Sequence, residues 1–153
     1  MCAFLVGEIM NDNEYMKIAI KLAKKASKNG DVPVGALIVK NGKIISKAYN
    51  KKEKTKNATA HAEIIAIKKA CKKLKTWHLE DCILYTTMEP CIMCSGAIIQ
   101  SRIKKIVYSL SNENFGNIEN NEYFKSNNIE IIKNIYLEEN LNIIQNFFRE
   151  KRK

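Results

Sequence analysis

The middle of the chain alternates between short β-prone runs and segments with the three- to four-residue apolar periodicity of amphipathic helices. Strands are expected at 83–86, 106–110 and 129–132, and helices are expected at 60–74 and 91–101. Helices that alternate with strands in this way pack on the faces of a shared sheet. The order therefore predicts an α/β protein with layered architecture.

The N-terminal part predicts a helix followed by a β-hairpin. A capping run at 11–13 precedes an apolar stripe, and Asn29-Gly30 is a typical helix end. The stripe consists of Tyr15, Ile18, Ala19, Leu22, Ala23 and Ala26. Asn41-Gly42 then separates the β-prone runs 34–39 and 43–49, and Asn-Gly between such runs is the strongest short-range signal for a hairpin.

Two polar stretches and a last helix complete the expected elements. Loops are predicted at 50–59 and over the Asn-rich stretch 111–128. The last helix should have one apolar face and place at least one of its two adjacent phenylalanines in the core. That face consists of Leu137, Leu141, Ile144 and Phe148.

Length and composition favour one domain. A chain of 153 residues with 46% hydrophobic residues can bury a core without disulfide bonds. We expect a single domain at 10–153 and an N-terminal extension at 1–9, since a helix cap directly follows Met10, an alternative start. No apolar run approaches the roughly 18 residues of a membrane helix. Five cysteines argue against a secreted disulfide framework and favour a cytoplasmic location.

The net charge of +10 favours a polyanionic partner only modestly. Lysine, isoleucine and asparagine are all over-represented and share A/T-rich codons, so genome composition accounts for part of the lysine excess. The three arginines are more informative, because two of them, Arg149 and Arg152, lie within the last five residues.

Two short motifs contain the residues best suited to chemistry. His61-Ala62-Glu63 lies near the start of one expected helix, and Cys91 and Cys94 lie at the start of another. Thiols at i and i+3 point to nearly the same side, and the positive end of the helix dipole favours thiolates. With His61 they form a Cys₂His set that suits one Zn²⁺ and leaves a fourth position for water, as catalytic zinc sites do.

Two other interpretations of the cysteine pair are a redox dithiol and a pair of buried small side chains. Neither gives a role to Glu63, which remains free after the ligands are counted and can transfer protons beside the open position. The combined pattern, H-x-E followed by P-C-x-x-C, is the signature of zinc deaminases. It predicts a zinc-dependent hydrolase in which Glu63 is catalytic.

Beyond these motifs, the chain from about residue 10 onward resembles the bacterial tRNA-specific adenosine deaminases of the cytidine deaminase-like superfamily. The resemblance rests on the segments 32–36, 60–64, 89–98, 101–103 and 147–149. It implies a three-layer α/β/α sandwich around a mixed five-stranded sheet, a homodimer, and conversion of the wobble adenosine (position 34) of a tRNA anticodon arm to inosine.

The resemblance also implies roles for single residues. His61, Cys91 and Cys94 would bind zinc, and Glu63 would shuttle protons. The implied substrate contacts are Asn50 and Val34 at the flipped base, Phe147, Phe148 and Arg149 near the anticodon loop, and Asn112 where relatives have an aspartate near the ribose.

The chain departs from the family pattern on the substrate side, at Asn112 and at Asn57-Ala58-Thr59, where Asp-Pro-Thr is common. A deaminase of a free base or nucleoside, such as guanine or cytosine, shares every catalytic residue and is the alternative. A basic, aromatic C-terminal helix favours the tRNA enzyme, because an anticodon loop needs phosphate and stacking contacts. A non-catalytic zinc module that binds RNA is a third interpretation, which Glu63 disfavours.

Overall fold

The computed structural model describes residues 10–152, so the predicted extension at 1–9 lies outside the described residues. The helices are α1 (Asp12–Lys28), α2 (Lys52–Thr55), α3 (Ala62–Leu74), α4 (Ile92–Ser101), α5 (Glu122–Ser126) and α6 (Leu137–Lys151). The strands are β1 (Gly35–Lys40), β2 (Lys43–Tyr49), β3 (Cys82–Met88), β4 (Lys105–Leu110) and β5 (Glu130–Ile132). None of the helices in this part of the chain is long and apolar enough to cross a membrane.

The five strands form one mixed sheet in the order β2-β1-β3-β4-β5. Strand β1 is antiparallel to both β2 and β3, whereas β3, β4 and β5 are parallel. The predicted hairpin joins β1 to β2, and Asn41 and Gly42 both have positive φ, at 50° and 76°. Such values are those of the type I′ turns that match the twist of a hairpin.

Alternate residues of the central strands face two separate apolar clusters. Leu37, Tyr85 and Val107 pack with α1 on one face, where Ile143 of α6 joins them. On the other face, Ile38, Leu84 and Ile106 pack with residues of α3 and α4. The predicted three-layer α/β/α sandwich is therefore confirmed.

Helix α1 packs directly against β1. Its N-terminus has a full capping box. The side chain of Asn11 accepts a hydrogen bond from the backbone amide of Glu14, and the side chain of Glu14 accepts one from the backbone amide of Asn11. At the start of β1, a β-carbon on Gly35 would lie 2.0 Å from the carbonyl oxygen of Ala19. Only glycine permits this close approach of helix and strand.

The two stretches predicted as loops contain short helices. Helix α2 interrupts 50–59 because the buried carboxylate of Asp31 accepts hydrogen bonds from the amides of Glu53 and Lys54 at 2.7 and 3.3 Å. Helix α5 interrupts 111–128, where Ile118 and Phe124 are buried in the core. The apolar residues in this Asn-rich stretch are too far apart to show a period, so the prediction missed them.

The prediction that Phe148 continues the apolar face of α6 is wrong. Phe147 is buried and Phe148 is 43% exposed, so the expectation of at least one core phenylalanine is met by Phe147. The buried face contains Asn140, whose side-chain amide donates to the carbonyl of Thr87 at 2.6 Å. The buried face of α6 therefore contains Asn140, Ile144 and Phe147. The apolar pattern missed it because one of these three residues is polar.

Candidate active site

Three metal-ligand atoms meet where α3 and α4 begin. His61 is the N-cap of α3, Cys91 is the N-cap of α4, and Cys94 follows one turn later. The Nδ1 of His61 lies 3.7 Å from Sγ of Cys91 and 3.6 Å from Sγ of Cys94. These residues form the one cluster of possible metal ligands within the described range.

The spacing of these atoms fits a tetrahedral metal. Bonds of about 2.0–2.1 Å to nitrogen and 2.3 Å to sulfur, at the tetrahedral angle, require the two atoms to be about 3.6 Å apart. Both observed N···S distances match this value within ~0.1 Å. The donor set and its geometry therefore suit Zn²⁺.

The pKa values of the two cysteines shift in opposite directions, so that Cys94 keeps its proton and Cys91 is the thiolate. A hydrogen bond from Cys94 lowers the pKa of Cys91 to about 3, and the hydrogen bond with His61 acts in the same direction. The same pairing raises the pKa of Cys94, and burial adds to the rise. The pKa of His61 is raised, chiefly by its hydrogen bond with Cys91, while burial and, to a smaller extent, the charge of Lys52 oppose this shift. A thiolate is therefore available at the site for a cation.

Glu63 lies in the first turn of α3, directly beside the ligands, and is 4% exposed. Burial raises its pKa to about 7. Its carboxyl group also interacts with the thiol of Cys94. A carboxyl group with a pKa near neutrality can both take and give a proton, which is the property required of a general acid and base.

Asn50 connects the end of β2 to the start of α3. Its Oδ1 accepts from the amide of Ala62 at 2.8 Å, and its Nδ2 donates to the carbonyl of Val32 at 3.1 Å. The residue thus caps the helix that presents His61 and Glu63. Its amide retains one N–H and one lone pair for a ligand. Val34 lies nearby, buried, and its carbonyl accepts from the backbone amide of Asn50 at 3.1 Å.

Asn112 has a structural role in the loop after β4. Its Oδ1 accepts from the amide of Phe115 at 3.2 Å, and its carbonyl accepts from the amide of Gly116 at 2.8 Å. Gly116 in turn forms an isolated antiparallel bridge with Cys91. The loop that contains Asn112 therefore contacts the metal-ligand helix directly.

Glu89 organises this loop, and sequence reasoning assigned it no role. Its carboxylate is 5% exposed and accepts from the amides of Asn112, Ile118 and Glu119 at 3.0, 3.0 and 3.1 Å. The loop 111–119 thus folds around a buried charge two residues before Cys91. The acidic residue next to Pro90 was visible in the motif, but its partners lie more than twenty positions away.

A second carboxylate, that of Glu119, links the last residue of the loop to its first residue and to two neighbouring side chains. It accepts from the hydroxyls of Tyr108 and Ser111 at 2.7 and 2.5 Å and from Nζ of Lys133 at 2.7 Å. These hydrogen bonds, that of Lys133 first, lower the pKa of Glu119 to about 2. The hydrogen bonds of Glu89 and Glu119 therefore fix the residues near both ends of the loop.

The predicted RNA-side residues of α6 lie in another part of the structure. Phe147 packs edge to face against Phe148, with ring centroids 5.3 Å apart. Arg149 is exposed and donates to the side chain of Asn146 at 3.2 Å. Nothing in the structure brings these three side chains into contact with the metal ligands.

Residues 10–152 match the MafB19-like deaminases as a family. The chain belongs to this family. It is 43% identical over 148 residues to a tRNA-specific adenosine deaminase of Bacillus subtilis (strain 168), covering 93% of this chain and 91% of that protein. The resemblance to tRNA-specific adenosine deaminases is therefore confirmed, as is the expectation of a hydrolytic deaminase.

Two solved structures extend the comparison. One comes from a study of A-to-I editing by tRNA:A34 deaminases at the wobble position of transfer RNA. Its TM-score is 0.79 and its sequence identity is 31%, and the match covers 85% of this chain and 98% of that chain. The other is a guanine deaminase of Bacillus subtilis, with a TM-score of 0.66 and 42% identity over 70% of this chain and 72% of its own. The chain is thus similar both to a structure from a study of tRNA deaminases and to a guanine deaminase.

Proposed function

We propose that this deaminase converts the wobble adenosine of a tRNA anticodon arm to inosine, with one Zn²⁺ per chain. The observation that most directly supports the chemistry is the buried carboxyl group of Glu63 beside the three ligands His61, Cys91 and Cys94. The B. subtilis relative, which is similar over nearly the full length of both chains, supports the choice of tRNA. The B. subtilis guanine deaminase is similar over a smaller share of this chain, 70% against 93% for the B. subtilis tRNA enzyme.

In this proposal His61, Cys91 and Cys94 would hold Zn²⁺, which would supply a water, as its fourth ligand, that is acidic enough to attack at neutral pH. Glu63 accepts a proton from the attacking water and delivers it to N1 of the adenine ring. It then takes the proton of the hydroxyl group that water has added at C6 and delivers it to the exocyclic amine, so that the C6–N bond breaks, ammonia leaves and a carbonyl forms at C6. Each transfer needs a carboxyl group that gains and loses protons readily, and the pKa of Glu63 meets that need.

The neighbouring residues would orient the flipped base. Among the described residues, the Asn50 side chain bonds only Ala62 and Val32, so one N–H and one lone pair can hydrogen-bond a ring edge while it caps α3. Val34 offers an apolar side chain next to it for packing. Asn112, in the loop held by Glu89, would face the ribose.

The C-terminal helix would contact the anticodon loop. Phe148 is exposed and available to stack on a base, and Arg149 is exposed and positively charged. Phe147 is buried, so its contribution would be to support Phe148 through the edge-to-face contact. Aromatic stacking and phosphate contacts are the usual means of binding single-stranded RNA.

We also propose the homodimer that the resemblance implies and the single domain at 10–153 that length and composition favour. Ile92 and Phe115 are 75% and 73% exposed and lie next to the paired residues Cys91 and Gly116. Two large exposed apolar side chains this close together are typical of an interaction surface.

One sheet that receives helices from both ends of the described chain supports a single domain. The four described cysteines are free, which agrees with the reducing cytoplasm.

The decisive experiment incubates the zinc-loaded protein with tRNA transcripts that have A at position 34 and measures inosine at that position. Parallel reactions contain the same tRNA with G34, free guanine, and cytidine. Inosine at position 34 alone supports the proposal. Release of ammonia from guanine or cytidine, without inosine in tRNA, would establish the alternative instead.

A further inference from the structure

Helices α1 and α6 enclose a groove of about 600 Å³ on the face of the sheet opposite α3 and α4. Its walls include Lys24 and Lys28 of α1 and Lys151 of α6, and Phe147 contributes an aromatic surface. One acidic residue, Glu150, also lines it. The groove therefore combines a net positive charge with an aromatic ring.

Four of the five lysines of α1 form a ridge along the helix, and two of them, Lys24 and Lys28, line the groove. Lys17, Lys21, Lys24 and Lys28 are separated by four, three and four positions, so they lie on one face of the helix, and all four are exposed. Lys24 has only a long, half-exposed ion pair with Glu139 at 3.9 Å. Pairs of this kind are weak, so the charge remains available to another anion.

The groove ends close to the active site. Gly30 lines its end, and a β-carbon at this position would lie 3.7 Å from Nζ of Lys151. Two residues later, at most about 7 Å along the backbone, Val32 accepts the hydrogen bond from Asn50. Asn50 in turn caps the residue that follows His61.

One further lysine lies close to the candidate metal ligands. Asp31, directly after Gly30, holds the start of α2 through the amides of Glu53 and Lys54. Lys52 opens that helix, and it is near enough to His61 to affect it electrostatically. A polyanion that reaches the candidate metal ligands would therefore meet Lys52 in addition to the lysines of the groove.

We propose that the groove between α1 and α6 binds the phosphate backbone of the RNA strand that flanks the deaminated nucleotide, with Lys24, Lys28 and Lys151 as the phosphate contacts. This inference rests on the proposed function and adds a second wall, on α1, to the RNA surface expected from the C-terminal helix alone. A free base has no phosphates, so the groove would have no role in a free-base deaminase.

The test compares three variants of the full-length, zinc-loaded protein. The first is K24A/K28A/K151A, and the second, K24R/K28R/K151R, keeps the charge. The third, K68A/K72A/K73A, removes the same charge from exposed positions of α3 on the opposite face of the sheet. Binding of tRNA is measured against salt concentration, and kcat and KM are measured for inosine formation.

Each lost phosphate contact should lower the slope of log K against log salt by about 0.7 for single-stranded RNA, so the alanine variant should lose about 2. Its KM should rise while kcat at saturating tRNA stays near that of the wild type. The arginine variant should retain the wild-type slope, and the α3 variant should lose less than half as much as the groove variant.

An unchanged slope in K24A/K28A/K151A, with inosine still formed, would overturn the groove proposal alone. The lysines would then only balance the negative C-terminal ends of the two helices. If the wild type forms no inosine in any A34 tRNA, the proposed function fails, whatever the slopes show. Equal losses in the groove and α3 variants would also contradict the proposal, because binding would then depend on total charge.

Discussion

A β-carbon on Gly116 would lie 2.4 Å from Oε1 of Glu89, a distance that packed atoms do not reach. The carboxylate occupies the inside of the loop 111–119, and the loop closes on it so tightly that residue 116 must be glycine. Because Gly116 also bridges to Cys91, the loop that would contact the substrate and the helix that carries two of the candidate metal ligands are one packed unit.

The first prediction concerns Gly116→Ala. The added methyl group collides with Glu89 and also with the carbonyl of Asn112, 2.5 Å away, so the loop must move. We expect a loss of about 1–3 kcal/mol in the free energy of unfolding, as for other overpacked sites. Urea unfolding of the zinc-loaded protein measures it.

The exposed loop residue Glu113 provides a matched control for the charge at Glu89. Glu89→Gln turns an N–H₂ group toward backbone amides and should destabilise the protein, whereas Glu113→Gln should not. Wild-type stability in both Gly116→Ala and Glu89→Gln would show that the loop does not depend on this packing.

The second prediction is a pH dependence due to Glu119. Its pKa is lowered to about 2 in the folded protein from an ordinary value of 4.5, so it stabilises the fold fully above pH 4.5. This contribution is lost as the pH falls toward 2, because the unfolded chain then binds the proton first. The difference in unfolding free energy between wild type and Glu119→Gln should be constant from pH 7 to about 5 and should then shrink.

Thermal or urea unfolding between pH 2 and pH 7 measures this difference. Zinc is released at low pH in both proteins, so its effect cancels in the subtraction. Glu122→Gln is the control, since Glu122 is 82% exposed on its side chain and has only an ion pair with Lys125. A wild-type advantage over Glu119→Gln that persists unchanged to pH 2 would contradict the account.

The third prediction concerns the C-terminal residues 149–153. Their deletion removes two arginines and two lysines, including Lys151 in the groove. We expect weaker tRNA binding and a flatter salt dependence, with little change in stability because residues 149–152 are exposed. An unchanged slope on deletion would mean that this basic segment is only a solvated helix end.

Much of the fold follows from local patterns. The capping box at Asn11, the turn at Asn41-Gly42 and the helix starts at His61 and Cys91 are signalled by residues close in sequence, and the structure confirms each. The metal cluster was predictable for a related reason. Its ligand types are rare, and three of them at helix starts leave few alternatives.

The remaining features depend on buried polar side chains whose partners are distant in sequence. Asp31 creates α2, Glu89 shapes the loop 111–119, and Asn140 sets the buried face of α6. A polar residue is normally predicted to be exposed. The hydrophobicity pattern therefore predicts exposure for these three residues, which are in fact buried. The groove between α1 and α6 is likewise visible only once the two helices lie side by side.

The fourth prediction concerns discrimination between RNA and DNA at Asn112. A neutral amide makes a weaker hydrogen bond with the 2′-hydroxyl than a carboxylate does, and it does not repel nearby phosphates. We expect weak preference for RNA in the wild type and a stronger one in Asn112→Asp. The assay compares deamination of one anticodon-stem hairpin made as RNA and as DNA.

The Oδ1 of Asn112 accepts from the amide of Phe115, and a carboxylate can accept the same bond, so the aspartate should preserve the turn. An unfolding measurement on the variant checks this. If the preference for RNA does not increase with the aspartate, residue 112 does not contact the ribose.

The central claim is that Glu63 moves the protons while His61, Cys91 and Cys94 hold the metal. Its most direct test measures bound zinc and inosine formation together in Glu63→Ala, with Cys91→Ala as the comparison. The account predicts one zinc per chain and no detectable turnover in Glu63→Ala, and loss of zinc in Cys91→Ala. Turnover at the wild-type rate in Glu63→Ala would contradict it.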